Sequence, residues 1–323
     1  MQILVTGGAG YLGSIVSLLL LQAGHRVRVL DKLCFGGQSL LPLTIHDGFE
    51  FVLGDVCDES TVGKVLEGVE GVVHLAALVG DPACAQQPDL ARATNLTASK
   101  NLVKRAGTAG VRRFVFASTC SNYGKMRDVS ELATEEHELC PVSLYAETKV
   151  AAEQALLSTS NRHLAVTVLR FATLYGLSPR MRFDLTVNEF VMRLLVDRKL
   201  LVFGEQFWRP YVHVRDAAAA IVTVLEADIE KVEGRVFNVG DTRENYRKSD
   251  IVELAQKRTG AVEVEYVRRN EDPRDYRVSF EAIRTQLEFK ISRRVSDGVN
   301  EIATAIQSGL LDNLQEARKY NTL

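Results

Sequence analysis

Gly7, Gly10 and Gly13 stand where an apolar run passes into a helical one, at the start of a chain of 323 residues. No other feature constrains the fold as tightly. Residues 3–5 read as a short buried strand, and residues 13–23 as a helix closed by Gly24. Glycine at these three positions allows a tight turn and a close backbone approach to a pyrophosphate, which then rests on the helix N-terminus. Asp31 ends the next apolar run, 27–30, 18 residues past Gly13. That is where a carboxylate meets an adenosine ribose in a dinucleotide fold. Turn glycines alone are the plainer reading, but strand, glycine loop, helix, strand and acid occur here in order. Asp31 would repel a 2′-phosphate, so NAD is expected over NADP, with Lys32 beside it the one contrary sign.

Apolar runs recur at 51–53, 72–75, 114–116 and 165–169, separated by helical stretches that include 91–106 and 143–157. Short buried strands alternating with helices indicate a parallel sheet covered on both faces. The expected class is α/β, a doubly wound parallel (Rossmann) sheet with a smaller C-terminal substrate domain. The division falls at residues 1–174 and 175–323, with 211–214 and 236–239 as strands returning to the first sheet. Charged residues make up 25% and the net charge is −2, so no polybasic footprint points to nucleic acid. No apolar run approaches a membrane span. Five cysteines at irregular spacing, without CxxC, suggest reduced thiols rather than a disulfide framework or a zinc site. No metal is expected from that cysteine pattern, and MQILVTGGAG, with neither a basic stretch nor a cleavage pattern, fits the expectation of a cytoplasmic protein.

Asp55-Val56 follows the third strand, toward an adenine. His74-Leu75-Ala76-Ala77 ends the fourth with small residues that let backbone pass close to a cofactor. A buried structural turn is the alternative for both. Tyr145 and Lys149, in YAETK, share one face of a helix and follow a strand ending in Ser118-Thr119. Oxidising a secondary alcohol needs a base for the hydroxyl proton. Tyrosine, with a pKa of about 10, serves only if a nearby ammonium and a positive nicotinamide favour the phenolate. Thr119 would bond the same substrate oxygen.

The sequence resembles the extended short-chain dehydrogenase/reductase family, in its nucleotide-sugar epimerase/dehydratase branch, over nearly the whole chain. The resemblance rests on TGGAGYLG at 6–13, Asp31, Asp55-Val56, HLAA at 74–77, Asn95, STCSNYG at 118–124, YAETK at 145–149, LRFATLYG at 169–176, RPYVHVRD at 209–216 and FNVG at 237–240. It implies NAD held by Gly7, Gly10, Tyr11, Leu12, Gly13, Asp31, Asp55, Val56, Leu75, Ala76, Ala77, Asn95, Tyr145 and Lys149. It implies Tyr145 as acid/base, Lys149 as its partner and Thr119 as the assisting hydroxyl, in a homodimer packed through 91–106 and 143–157.

The resemblance also narrows the reaction. The 4,6-dehydratases of the family carry an Asp-Glu pair where this chain has Cys120 and Ser121. The sugar-acid decarboxylases carry Glu at Ser121, and the 3,5-epimerases Cys at Ser121, one residue after the Cys here. A catalytic Cys120 stands against a small buried thiol. What remains is a 4-epimerase, or equally a 4-ketoreductase. A non-catalytic nucleotide-binding sensor is the third reading, which intact Thr119, Tyr145 and Lys149 oppose. The implied substrate is a nucleotide-diphosphate sugar, whose dianion calls for arginine forks. Arg209 and Arg274 match the family positions, with Arg269 a rival to Arg274. Asn188 resembles the family's substrate asparagine, and Cys120 and Ser121 would line the sugar. Thr173 replaces the usual Asn, and Arg180 or Arg182 would compensate unless they are a solvated pair. His213 is expected to be packed in its strand, Asp216 to cap a helix from 217, and Asp81 to face the sugar.

Overall fold

The computed structural model describes residues 1–159, 163–260, 262–267, 274–311 and 314. Seven apolar segments become β1 (Gln2–Thr6), β2 (Arg26–Asp31), β3 (Phe49–Leu53), β4 (Gly71–His74), β5 (Arg113–Thr119), β6 (Ala165–Phe171) and β10 (Val236–Val239). They form one sheet in the order β10-β6-β5-β4-β1-β2-β3, every pair parallel. Alternate residues feed two cores, as a pleated strand buried on both faces requires. Ile3 and Val5 face the first helix (Tyr11–Gln22) and the helix Val214–Glu226. Leu4 faces the opposite side, with Leu102, Ala106, Ala152 and Leu156. Strand order reverses between β1 and β4, and ligands of such sheets bind in the crevice beyond the strand ends at that switch.

The other strands are β7 (Thr173–Tyr175), β8 (Lys199–Phe203), β9 (Trp208–His213), β11 (Asn245–Arg247) and β12 (Glu263–Val267). They form a three-stranded sheet, β11-β9-β7, and a parallel pair, β12-β8. Helices Thr186–Val196, Lys248–Thr259 and Val295–Gln307 enclose a third core around Val187, Val191, Ile251 and Val299. Among the described residues no helix is long and apolar enough to cross a membrane.

One of the two expected return strands joins the large sheet and the other does not. Residues 236–239 become β10 at its edge, against β6. Of residues 211–214, the first three end β9 and Val214 opens the next helix; β9 pairs with β7, a strand separated from β6 only by Ala172. The 91–106 helix is longer and uneven: a turn at Pro88–Arg92, a π-helical stretch Ala93–Ala98, then Ser99–Thr108. The helix expected from 217 starts at Val214, because β9 runs into it without a linker. Its cap is His213, whose Nδ1 accepts from the Arg215 N–H at 3.2 Å. Asp216 instead accepts from the Ser292 and Arg293 N–H groups, at 2.9 and 3.0 Å, and clamps the approach to the last helix.

Candidate active site

The glycine turn is built as its spacing demands. Gly7 has φ +74°, and its carbonyl accepts the Gly10 N–H at 3.1 Å. A Cβ on Gly13 would stand 2.2 Å from the Gly7 oxygen, and one on Gly7 2.8 Å from the Ala76 nitrogen. Gly10 is the N-cap of the first helix and brings no side-chain bond, so the first N–H groups of the helix, beginning at Tyr11 and Leu12, face outward for an anion. The Tyr11 ring is turned into the protein: its hydroxyl donates to the Gly176 carbonyl at 2.6 Å.

Asp31 closes β2 with Oδ2 on the Ala9 N–H (3.0 Å) and Oδ1 on the Leu33 N–H (2.8 Å). Each oxygen keeps a lone pair for a ribose hydroxyl. Lys32 is drawn away to Asp55, Nζ to Oδ2 at 3.1 Å. Burial opposes charge on Asp55, but the Cys57 N–H and the Lys32 ammonium outweigh it and hold the carboxyl below its ordinary range. Val56 is packed in the core behind.

Leu75 and Ala76 bond back to Thr6, which brings their backbone against Gly7. His74 lies beneath, between the Thr6 hydroxyl (2.7 Å) and the Ser99 hydroxyl (2.9 Å). Burial, with Lys149 adding, pushes it down to about 3. Ser99 spends its own proton on the Asn95 carbonyl. The neutral ring therefore donates from Nε2 and accepts at Nδ1. Asn95 lies in the π-helical stretch and clamps the loop after β4: Oδ1 takes the Leu78 N–H and Nδ2 gives to the Leu78 carbonyl, at 2.8 and 2.9 Å. Its bonds hold the 75–78 loop in place, Ala77 included.

Thr119 is the last residue of β5. Its Oγ1 accepts the Ser121 N–H at 3.1 Å, and its proton is committed to no acceptor among the described residues. Tyr145 and Lys149 lie on the helix Leu144–Leu157, capped by the Ser143 hydroxyl on the Ala146 N–H. Lys149 is 3% exposed; Nζ donates to the Ala117 carbonyl at 2.8 Å and lies 4.6 Å from the Phe116 ring centre. That bond ties the Tyr/Lys helix to β5 two residues before Thr119. Burial lowers Lys149 to about 8, against the pull of Glu153 and Cys84. Burial raises the Tyr145 phenol, while Arg182 and, more weakly, Arg274 favour its ionised form.

Two of the expected substrate arginines converge. Arg274 Nη1 donates to the Ser121 hydroxyl at 3.2 Å and its Nη2 pairs with Asp81 at 3.1 Å. Arg209 is 5% exposed and stands 5.2 Å from the Tyr276 ring centre, and both arginines act electrostatically on that phenol. Arg182 makes a two-bond fork with Asp184, at 3.0 and 2.6 Å, within electrostatic reach of Tyr145. Arg180 lies over the Phe35 ring at 4.1 Å, so the two are not a solvated pair. Arg269 lies outside the described residues. Thr173 opens β7 opposite Tyr211.

Two expected substrate contacts are turned elsewhere. Cys120 is fully buried, its Sγ donating to the Arg170 carbonyl at 3.2 Å, and burial drives its thiol well above the ordinary value. A thiol so enclosed is held in its protonated form. The cause is the turn after β5, which directs residue 120 into the core and leaves 119 and 121 at the crevice. Asn188 is also fully buried. Its Oδ1 takes the Gly176 N–H, and its Nδ2 protons go to the Tyr11 hydroxyl and the Arg182 carbonyl. Both amide protons are thus spent on joining the first helix to the 176–188 segment. His213 is packed as expected, with Nε2 2.6 Å from Glu301.

Sequence reasoning missed Glu153 and Arg170, a buried ion pair behind the turn, with Oε2 2.8 Å from Nη2. The available signal was an arginine inside the otherwise apolar run AVTVLRF.

The model of the "NAD dependent epimerase/dehydratase family" matches residues 3–240. The chain belongs to that family. It is 31% identical to the UDP-glucose 4-epimerase of Corynebacterium glutamicum over 99% of both chains. It is also 31% identical to the dTDP-glucose 4,6-dehydratase of Streptomyces niveus, over 93% of this chain and 91% of that one. Among solved structures, the UDP-glucose 4-epimerase of Thermotoga maritima with UDP-glucose superposes with a TM-score of 0.85 at 27% identity, over 96% of this chain and 100% of that one. The dTDP-glucose 4,6-dehydratase DesIV of Streptomyces venezuelae, with NAD bound, gives 0.86 at 26%, over 97% and 100%. As a member the chain is an NAD-dependent enzyme of nucleotide-sugar epimerase/dehydratase type. The residues present fit the cofactor: glycines fill the places where a Cβ would collide, the helix start is bare, and Asp31 has acceptors left over.

Proposed function

We propose that the chain is a nucleotide-sugar 4-epimerase. One observation carries the reading: at the turn after β5 the chain puts a buried thiol, Cys120, and a hydroxyl bonded to Arg274, Ser121, where elimination by a 4,6-dehydratase would need two carboxylates. Thr119, Tyr145 and Lys149, by contrast, are complete. NAD, when bound, supplies the acceptor and later the donor of a hydride. Tyr145 takes the C4 hydroxyl proton and, once the keto-sugar has turned its other face to the cofactor, returns it to the same oxygen. Thr119 donates its uncommitted proton to the same oxygen, and the Lys149 ammonium lowers the cost of the phenolate. Arg209 and Arg274 meet the diphosphate, with Asp81 releasing Arg274 to it, and Arg182 flanks the sugar. Residues 1–174 serve the cofactor, and 175–323 mainly the nucleotide sugar. The reading includes a homodimer packed through 91–106 and 143–157, and a cytoplasmic location.

The test is purified protein with a panel of nucleotide sugars followed by NMR. Interconversion of C4 epimers without net NADH change is expected. Stoichiometric NADH loss with a keto-sugar would identify a reductase instead, and no conversion of any sugar would defeat the enzyme reading. Tyr145→Phe should keep NAD affinity and lose about 100-fold or more in turnover.

A further inference from the structure

Glu153 is on the Tyr/Lys helix, one turn beyond Lys149 and two beyond Tyr145, and is 1% exposed. Its Oε1 accepts from the Ser118 hydroxyl and from Asn122 Nδ2, the latter at 2.7 Å. Ser118 and Asn122 bracket Thr119, Cys120 and Ser121. One carboxylate oxygen thus holds both ends of the turn that presents the Thr119 hydroxyl. Arg170, from β6, closes on the other side with Nε at 3.1 Å and Nη2 at 2.8 Å from Oε2. Its Nη1 reaches the Tyr123 hydroxyl and the Glu135 carbonyl, both at 3.1 Å. Tyr123 in turn donates to Asn238 on β10 at 2.7 Å.

Stability gives no reason for such a pair. Burying two charges costs about what their attraction returns, and apolar residues of similar size hold a fold as well or better. An apolar pair, however, provides no directed bonds to the flanks of Thr119 and no negative charge one turn from Lys149.

We propose that Glu153 is a positioning residue: its carboxylate, gripped by Arg170, locks the Thr119 turn to the helix of Tyr145 and Lys149 and supports the Lys149 ammonium. The proposal rests on the roles given above to those three residues. The groups facing Lys149 are Glu153 on its own helix, neutral His74 on β4, the Cys84 thiol from the helix Asp81–Gln86, and the Phe116 ring and Ala117 carbonyl on β5. Of these, Glu153 contributes most to keeping the lysine charged. Facing Glu153 are Arg170 on β6 and Cys120 in the turn.

The experiment uses the full chain with NAD and compares E153Q and the double variant E153L/R170M with the native protein. Tyr145 ionisation is read from phenolate absorbance against pH, with Y145F subtracted, and kcat and KM are taken on the sugar the panel identifies. For E153Q we expect unchanged NAD affinity, KM within about threefold, and a kcat lower by about 10- to 100-fold. The Tyr145 phenolate should appear about one pH unit higher, a tenfold loss of the base form. The double variant should keep a native-like melting temperature and still show both losses, which separates positioning from a structural role. If E153Q does not fold, the double variant decides. Native kcat and phenolate behaviour in either folded variant, with only a shifted melting temperature, overturns the proposal. Absence of an early Tyr145 phenolate in the native protein would overturn the reading of Tyr145 itself, and this proposal with it.

Discussion

Lys149 holds its charge where water does not reach, and this makes its effect on stability calculable. The fall from 10.5 to about 8 on folding corresponds to about 3 kcal/mol. The sign follows from proton binding. Below pH 8 the lysine is protonated in both states, and the native state bears the full cost of the buried charge. Between about pH 8 and 10.5 the unfolded chain keeps the proton and the native chain does not, so stability rises with pH. Above 10.5 the group contributes nothing further. Lys149→Met keeps the apolar stem against Phe116 and removes the ammonium together with its bond to Ala117. The lost bond shifts stability by a constant amount; the lost charge removes the pH dependence. Urea unfolding of both proteins from pH 7 to 10.5 should therefore show the native protein gaining about 3 kcal/mol on the variant, since other titrations cancel in the difference. Turnover of the variant should fall by about 100-fold or more. A difference that stays flat from pH 7 to 10.5 would refute the buried ammonium and the reasoning built on it.

Cys120→Ala should leave turnover within about twofold and cost about 1 kcal/mol in thermal unfolding, as removal of a small core group does; a collapse of turnover would make Cys120 catalytic. Asp31→Ala should weaken NAD binding by about tenfold or more, read by calorimetry, because a charge-assisted bond to a ribose hydroxyl is lost. Gly13→Ala places a Cβ 2.2 Å from the Gly7 carbonyl, so NAD binding should fail and the melting temperature should drop; a tolerated alanine would contradict the tightness of the turn.

The cofactor half was legible because its signals are local. A strand, three glycines and a helix start within the first 13 residues, and a turn of that length has few ways to close. Tyr145 and Lys149 were legible for the same reason, since a helix places i and i+4 together whatever surrounds it. Cys120 and Asn188 were misplaced because a motif position says which residue stands there and not where its side chain points. The tight turn sends 120 inward, and Asn188 is consumed by Tyr11, Gly176 and Arg182, two of which are close in sequence and one of which is not. The return strand at 211–214 failed on the same ground: an apolar run shows that a strand is buried, not which sheet it joins.

By itself, then, the sequence determined the parallel sheet, the glycine turn with Asp31 and the Thr, Tyr and Lys set. Each depends on dihedral preference and periodicity over a few residues. Only the tertiary structure decided how Arg209, Arg274, Ser121 and Asp81 gather around Tyr276 and the crevice, and how Glu153 and Arg170 meet behind Thr119. Ser121 and Arg274 lie 153 positions apart along the chain, and Asp81 lies farther still from Arg274. Their meeting depends on how strands pair and helices pack, and on the exclusion of water that makes a single buried carboxylate worth several directed bonds.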